Sequence, residues 1–288
     1  MWVCISLLAV LASLVFPQGL GPTVHADDAI RSRVTAAFPT LDLVATAANG
    51  DVAYLEVAGC PAFLICPQAK RQSAPMPWVW YAPAIRGQPR PAHVWMFRQF
   101  LTEGIAVAGI NVGESMGNPD GRAKFTAFHK LLTEDHGCAE QATLMPQSRG
   151  GLMLYNWAAE NSDHVACVAG IYTVCDMSSW PGLKRAAPAY GLKEDELAAV
   201  LSQHNPVDRL QPLADAGIPI LHIHGDSDKP APLEKNSGEL ARRYRELGGS
   251  IQLVVVPGRG HEEAPEIFQC QQVVDFVIRN ARSRSAKR

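Results

Sequence analysis

The chain has 288 residues, of which 47% are hydrophobic and 19% charged, and its formal net charge is −2. This is the composition of an ordinary globular protein, and the length suits one α/β domain or two small ones. A nearly neutral chain has no electrostatic reason to bind nucleic acid or an anionic membrane surface, so neither is expected as a partner.

The first residues have the pattern of a targeting segment. The apolar run Val3–Phe16 has the length of a signal-peptide core and is short for a bilayer span. Val24 to Ala26 ends in the small-x-small-like pattern of a cleavage site. We therefore expect a signal peptide over residues 1–26, a mature chain that is exported to the periplasm or secreted, and no stable membrane anchor.

Six cysteines follow this segment, and an even number permits disulfides in an exported chain: Cys60, Cys66, Cys138, Cys167, Cys175 and Cys270. Cys60 and Cys66 are the closest pair and could close a small loop. Six cysteines allow fifteen connectivities, however, and buried thiols are an equal alternative. The sequence contains no cysteine and histidine spacing typical of a zinc site, so neither a metal nor a cofactor is expected.

The first part of the mature chain predicts extended structure. Leu41 to Val57 alternates apolar and polar residues around Asn49-Gly50, which is typical of a hairpin. Pro61–Cys66 is a second short extended run, and Pro77–Ala82 is rich in residues that favour strands.

Helical spacing and apolar runs then alternate. The predicted helices are Val94–Glu103, Asp120–Leu132, Gly150–Glu160, Leu233–Leu247 and Glu266–Ala281. The predicted strands are Ile105–Val112, Thr143–Met145, Val165–Tyr172, Ile218–His224 and Ile251–Val256. This order predicts an α/β fold with a mostly parallel central sheet and helices on both faces. Residues Thr173 to Pro206, with a polar helix over Lys193–Ser202, break the rhythm and predict a small lid insertion.

A tight turn, Pro146-Gln-Ser-Arg-Gly150, joins the predicted strand Thr143–Met145 to the helix that follows. It matches the G-x-S-x-G nucleophile elbow with proline in the first position. Such a turn holds the serine hydroxyl clear of the sheet edge and directs the helix N-terminus at a developing oxyanion. Ser148 is therefore a candidate nucleophile, and a serine that only caps the helix is the alternative.

Two later loops carry the partners that such a serine needs. Ligands of open parallel sheets bind beyond the carboxyl ends of the strands. Asp226 and Asp228 follow the strand that ends at His224, and His261 follows the last strand. Serine, acid and histidine in this order is the chain order of α/β-hydrolases, and each residue follows its own strand.

From about Pro77 to the C-terminus the sequence resembles the α/β-hydrolase superfamily. The pattern H-G-x-x-D-x-x-x-P at His224–Pro232 looks like the acid loop of dienelactone-hydrolase-like and prolyl-oligopeptidase-like members. Gly258–His261 looks like their histidine loop. Pro146 departs from the elbow motif, and Ala82–Ile85 replaces the family's His-Gly oxyanion segment. The resemblance implies one α/β-hydrolase domain over residues 27–288.

The resemblance also implies roles. Ser148 attacks, His261 takes and returns its proton, and a buried carboxylate fixes the imidazole. Related loops place that acid three residues after the glycine, which is Asp228, and leave Asp226 as a turn former. The oxyanion is expected to bind the backbone amide of Arg149 and a second amide near Ala84 or Ile85.

Three side chains near these loops have alternative interpretations. Glu114 either binds substrate or forms an ion pair with Arg149 or Arg122, and the ion pair is favoured. Trp180 either stacks on a sugar or aryl group or anchors the lid. The Arg149 guanidinium either reaches the substrate or pairs with Glu114. The Ser-Arg pair also resembles the elbow of glucuronoyl esterases, which hints at an acidic sugar ester.

The expected function is an exported serine hydrolase that cleaves a carboxylic ester of a small molecule or carbohydrate through an acyl-enzyme. A serine peptidase of prolyl-oligopeptidase type is the alternative enzyme. A non-catalytic binding protein on the same fold is a third hypothesis.

Overall fold

The computed structural model describes residues 26–68 and 75–285, so the predicted signal peptide lies outside it up to residue 25. Eight strands form one sheet in the order β1-β2-β4-β3-β5-β6-β7-β8. They are β1 Gly50–Val57, β2 Cys60–Pro67, β3 Trp78–Ala82, β4 Ala106–Ile110, β5 Ala142–Pro146, β6 Val165–Ile171, β7 Ile220–Gly225 and β8 Ile251–Val256. Strand β2 pairs antiparallel with β1 and β4, and all other neighbours are parallel. The predicted mostly parallel sheet is confirmed.

Helices cover both faces of the sheet. They are α1 Ala26–Ala37, α2 Leu41–Ala47, α3 Val94–Thr102, α4 Pro119–Glu134, α5 Gly150–Glu160, α6 Leu183–Ala186, α7 Glu194–Ala199, α8 Gln211–Asp215, α9 Ser237–Glu246, α10 Pro265–Phe268 and α11 Gln271–Ser285. Alternate residues of β3 belong to the two hydrophobic cores, one on each face of the sheet, because successive side chains of a strand point to opposite faces. Trp78 and Trp80 join the cluster under α4, α5 and α9. Val79 and Tyr81 join the cluster under α1, α2, α3 and α11.

The predicted hairpin over Leu41–Val57 is wrong. Leu41, Val44 and Ala45 are buried on one face of α2. This i, i+3, i+4 spacing is that of an amphipathic helix. Asn49 has φ 60° and ends this helical region, since a left-handed residue serves helix ends as well as hairpin turns. The hairpin is formed by β1 and β2 instead.

The residues between β6 and β7 include the predicted lid segment, residues 173–206, with two short α-helices, several 3₁₀ turns and no strand among them. Its apolar side chains form a small separate cluster, including Met177 and Leu197, on Leu152 of α5. The polar helix predicted over Lys193–Ser202 is shorter, and α7 ends at Ala199.

Two other predicted helices are divided. In the region Leu233–Leu247, a 3₁₀ turn precedes α9 because Asn236 leaves helical geometry and uses its buried side chain elsewhere. Its Oδ1 accepts hydrogen bonds from the amides of Cys175 and Asp176, at 2.9 and 3.2 Å. The closing helix divides into α10 and α11 after Phe268, whose ring packs on His93 at 5.1 Å.

The small disulfide loop between Cys60 and Cys66 is also excluded. Both residues lie on the extended strand β2, six positions apart. Residues so placed are about 20 Å apart, far beyond the roughly 7 Å Cα separation that a disulfide spans. Among residues 26–68 and 75–285, no helix has the length and apolarity needed to cross a membrane.

Candidate active site

Ser148 lies on a strained turn between β5 and α5, with φ 50°. Its amide donates to the carbonyl of Ile171 at 3.0 Å, and its own carbonyl accepts from the Val174 amide at 2.9 Å. A Cβ built at Gly150 would lie 2.1 Å from the carbonyl oxygen of Ala82, so this position requires glycine. The turn therefore has the close strand-to-helix approach that the elbow motif predicts.

The structure brings Ser148, His261 and Asp228 into one hydrogen-bonded line. Ser148 Oγ lies 2.7 Å from His261 Nε2, and His261 Nδ1 lies 2.7 Å from Asp228 Oδ2. Each residue comes from a loop at the carboxyl end of a different strand. The geometry fits a serine whose proton passes to an imidazole that a carboxylate orients.

Asp228 is held as a carboxylate by several donors. The Ala231 amide donates to Oδ1 at 2.9 Å, and His224 Nε2 lies 3.2 Å from Oδ2. Burial opposes the charged form of Asp228, but the hydrogen bonds from His224, His261 and the Ala231 amide outweigh it and lower its pKa to about 2. The carboxylate is thus charged at any pH at which the imidazole acts as a base.

A buried polar chain continues behind Asp228. His224 Nε2 lies 2.9 Å from the carbonyl oxygen of Ala231, which can only accept, so Nε2 carries the hydrogen. In the neutral imidazole, Nδ1 then accepts from Ser237 Oγ at 2.8 Å.

The same reasoning extends the chain to a tyrosine. Because the one hydroxyl hydrogen of Ser237 goes to His224, His222 Nδ1 must donate to Ser237 Oγ, at 2.8 Å. Tyr155 then donates to His222 Nε2 at 2.7 Å. Burial, with His224 nearby, lowers the pKa of His222 to about 3, which keeps this imidazole neutral.

Asp226 has a different task from Asp228. Its Oδ1 accepts from the Gly258 amide at 2.8 Å and from Ser227 Oγ at 3.0 Å. It therefore ties the acid loop to the histidine loop and does not contact His261. The turn-forming interpretation fits these contacts, although the bonded amide belongs to the neighbouring loop.

Two backbone segments next to Ser148 contain amides that are candidate donors to an oxyanion. Within the described residues, the amides of Arg149, Ala84 and Ile85 donate no hydrogen bond. Ile85 lines the larger cavity next to Ser148, whereas Ala84 is buried under the sheet edge. These amides fit the expected oxyanion donors, with Ile85 nearer to the open site than Ala84.

The Arg149 side chain is engaged on two sides. Its Nη1 pairs with Glu114, the ion pair that the sequence favours, and no pairing of Glu114 with Arg122 occurs, since Arg122 pairs with Glu160 at 3.0 Å. The guanidinium also lies over the Trp180 ring, 5.1 Å from its centroid. These contacts, with the packing of Trp180 on the apolar cluster of the predicted lid segment, fit the anchoring interpretation.

Comparisons with known proteins show the fold of this chain and leave its activity open. No family model matches the chain, and no curated protein matches its sequence. Among solved structures, Est1E from Butyrivibrio proteoclasticus has a TM-score of 0.56 at 14% identity, over 80% of this chain and 98% of that one. A truncated carbohydrate esterase from gut microbiota has a TM-score of 0.58 at 17% identity, over 77% and 90%. The chain has the α/β-hydrolase fold.

Peptidases share this fold with the chain over only part of their length. An acylaminoacyl peptidase from Pyrococcus horikoshii aligns with a TM-score of 0.60 at 13% identity, over 81% of this chain and 42% of that one. The chain spans 35–42% of the length of this peptidase, of a second acylaminoacyl peptidase and of a putative dipeptidyl aminopeptidase IV.

Two cavities of this chain meet at Ser148 and His261. The larger has a volume of about 390 Å³ and the smaller about 150 Å³. Trp180 lines the smaller one, and Glu114 lines neither. In the part of the chain that the structure describes, no cluster of three or more histidine, cysteine or acidic side chains is arranged to hold a metal ion.

The residues that sequence reasoning missed include Gln147, Tyr172 and His93. Gln147 and Tyr172 line the larger cavity, and buried His93 supports Gln147 from below at 2.8 Å. The Tyr172 ring also packs on His261, with centroids 4.4 Å apart. No motif marks these residues, although Gln147 precedes the serine and Tyr172 ends a predicted strand.

Proposed function

We propose that this chain is an exported serine hydrolase that cleaves a carboxylic ester through Ser148, His261 and Asp228. The observation that carries the proposal is the unbroken hydrogen-bonded line from Ser148 Oγ through His261 to Asp228. Neighbours with the same fold include esterases and peptidases, which supports a hydrolase as the class.

The geometry supports a two-step reaction. Ser148 Oγ attacks the ester carbonyl while His261 Nε2 takes its proton, and the amides next to the site hold the oxyanion. The imidazolium then gives that proton to the leaving alkoxide, so an alcohol departs and an acyl-enzyme remains. Water attacks the acyl-enzyme, again with His261 as base, and releases the acid and free Ser148.

An ester is favoured over a peptide by the extent of the matches. Est1E and the carbohydrate esterase are covered over 98% and 90% of their chains, whereas the peptidases are covered over 35–42%. A serine peptidase remains the alternative enzyme. The Ser148-Arg149 pair points to an acidic sugar ester as one substrate to include.

The decisive experiment is labelling with a fluorophosphonate probe, followed by assays on a panel of esters and peptides. The parent protein should be labelled and should hydrolyse esters, and Ser148→Ala should lose both properties while keeping its thermal stability. Losing the nucleophile of a triad typically removes several orders of magnitude in rate. Labelling with peptide cleavage alone would favour the peptidase, and no labelling would favour a binding protein.

Export is tested separately. The apolar run and Val24 to Ala26 favour cleavage before Asp27. The intact mass of protein recovered from the periplasm or medium should match residues 27–288. A mass that includes residues 1–26 would contradict the proposal.

A further inference from the structure

Two cavities of unequal size and character meet at Ser148. Both are lined by Ser148, Arg149 and His261, so an ester carbonyl placed there has one half of the molecule in each cavity. The walls beyond these shared residues differ in chemistry, and this difference bears on what the two halves can be.

The smaller cavity is compact, and apart from Ser148, Arg149 and His261 its walls are apolar. Val174, Trp180, Pro230 and Ala231 line it, and Val174 and Ala231 are fully buried. Its volume is about 150 Å³. An apolar cavity of about that size holds a benzene molecule, so a group of about six carbon atoms fills it.

The larger cavity is lined by Gln147, whose side chain is held in one orientation by buried neighbours. His93 Nδ1 lies 3.0 Å from both the amide and the carbonyl oxygen of Arg90, and that carbonyl already accepts from the His93 amide at 2.9 Å. With the Arg90 amide as the donor to Nδ1, His93 Nε2 carries the hydrogen and donates to Gln147 Oε1 at 2.8 Å. Tyr81 Oη lies 2.7 Å from this oxygen and 2.8 Å from Gln88 Oε1, so its one hydrogen is shared between the two. Burial lowers the pKa of His93 to about 4, so this imidazole is neutral at neutral pH.

The orientation of Gln147 leaves a donor in the cavity. With its oxygen turned to His93 and Tyr81, Gln147 directs Nε2 to Tyr172 Oη, at 2.6 Å. Tyr172 accepts that hydrogen bond, and its own hydroxyl hydrogen finds no acceptor among the described residues. Because a buried hydroxyl rarely lacks an acceptor, this hydrogen is available to a ligand of the larger cavity.

One guanidinium at this cavity has no ion-pair partner among the described residues. Arg86 lines the cavity and makes no such pair. Glu263 pairs with Arg90 at 3.4 Å, and Glu262 lies 3.8 Å from Arg259, which pairs more closely with Glu266. The larger cavity thus offers its occupant hydrogen-bond donors from Tyr172 and Arg86.

We propose that the substrate is an ester with one compact apolar half and one larger half rich in oxygen acceptors, which the Tyr172 hydroxyl recognises by donating a hydrogen bond. The smaller cavity takes the compact half, and the larger cavity takes the acceptor-rich half. This inference rests on the proposed function, because it names the substrate class of the same site.

The first test compares esters with matched halves. The panel contains the butyrate ester of methyl glucoside, the methyl ester of a methyl glucuronoside, and hexyl butyrate, whose two halves are both apolar. At least one of the sugar esters should exceed hexyl butyrate in kcat/KM by about tenfold, as expected for one added hydrogen bond in a site. A preference for hexyl butyrate over both sugar esters would overturn the inference.

The second test removes only the donor. Tyr172→Phe should lower kcat/KM for the preferred sugar ester by about tenfold and change that for hexyl butyrate by less than about threefold. The ring that packs on His261 is retained in this variant. An equal loss on both esters would show a purely structural role and would contradict recognition by the hydroxyl.

The third test concerns the size of the compact half. In a series of increasing chain length on the cleaved sugar ester, activity should fall steeply beyond about six carbons. Trp180→Ala should extend the accepted length, whereas Trp180→Phe should preserve the limit. No limit in the parent, or no effect of Trp180→Ala, would contradict the assignment of the smaller cavity.

The outcomes separate this inference from the proposed function. If the fluorophosphonate probe does not label Ser148, the hydrolase proposal fails first. If Ser148 is labelled and esters are cleaved, but those with two apolar halves are preferred, only the substrate inference fails.

Discussion

Asp228 and Asp226 are two residues apart but have distinct partners. Asp228 contacts His261, whereas Asp226 bonds the Gly258 amide. We expect Asp228→Asn to lower kcat by about 10³- to 10⁴-fold, because an amide stabilises the wrong tautomer of His261. Asp226→Asn retains an acceptor for Gly258 and should lose less than about fivefold. Steady-state kinetics with one ester checks both, and the reverse ranking would contradict the assignment.

His224 is a positioning residue for Asp228. Its Nε2 hydrogen competes with His261 for the same carboxylate oxygen, Oδ2. In His224→Leu the carboxylate loses that donor, its pKa rises, and it stabilises the imidazolium of His261 more strongly. We expect the acid limb of the kcat/KM pH profile to move to higher pH by about 0.5 to 1 unit.

The matched control is His224→Gln. A glutamine amide can place an N–H near the position of Nε2, so it should restore the parent pH profile at least in part. If His224 served only to fill space, both variants would lower thermal stability and neither would move the acid limb. Tyr155, His222 and Ser237 would then be packing residues as well.

At the scale of elements, the elbow depends on the contact between β3 and α5. Gly150→Ala would place a methyl group against the backbone of Ala82. We expect a destabilisation of about 2 to 4 kcal/mol, seen as a lower melting temperature, together with reduced turnover. Gly260→Ala is the control, since its Cβ would meet only the Ser227 carbonyl, at 3.5 Å. Similar melting temperatures for the two variants would contradict this account.

Much of the architecture could be predicted from sequence, because local patterns determine it. The strand Ile251–Val256 and the helix Gly150–Glu160 have the predicted bounds, since each is a clear apolar or amphipathic run between turn residues. The region Leu41–Ala48 was ambiguous, because Asn49 suits both a helix end and a hairpin. The break at Asn236 depends on bonds to residues about 60 positions away, which no local pattern contains.

The candidate site, like the fold, could be predicted from the sequence only in part. Ser148, Asp228 and His261 could be proposed from the sequence because each follows a strand within a recognisable loop, and the structure brings them into contact. The donor role of Tyr172 could not be assigned. It depends on His93 and Tyr81, which lie in other elements and meet Gln147 only in the fold.

At the scale of the whole molecule, two buried imidazoles make stability depend on pH. The pKa values of His93 and His222 are lowered to about 4 and about 3, in both cases chiefly by burial. An unfolded chain protonates both below about pH 6.5, while the folded protein does not until lower pH. Above pH 6.5 both imidazoles are neutral in the folded and in the unfolded chain, so they do not make the free energy of unfolding depend on pH. As the pH falls below 6.5 the unfolded chain takes up protons first, and the free energy of unfolding falls.

We expect the free energy of unfolding to fall by about 2.7 kcal/mol per pH unit between pH 6 and 5, about 1.4 from each histidine. Urea titrations at several pH values check this. His222→Gln should reduce the slope by about half, whatever its effect on stability at pH 7. A parent protein equally stable at pH 7 and pH 5 would contradict the linkage.

The contact between Arg149 and Trp180 gives the molecule an optical reporter at its reacting centre. An indole under a guanidinium, at the wall of a cavity that closes on Ser148, emits light according to the charge and water around it. Trp78, Trp80 and Trp157 are fully buried, and the partly buried Trp95 lines neither cavity, so these four form a constant background. We therefore expect the fluorescence of Trp180 to change when a compact group displaces water from the smaller cavity. Occupancy of the site can be followed without a dye, and with ligands that are never hydrolysed.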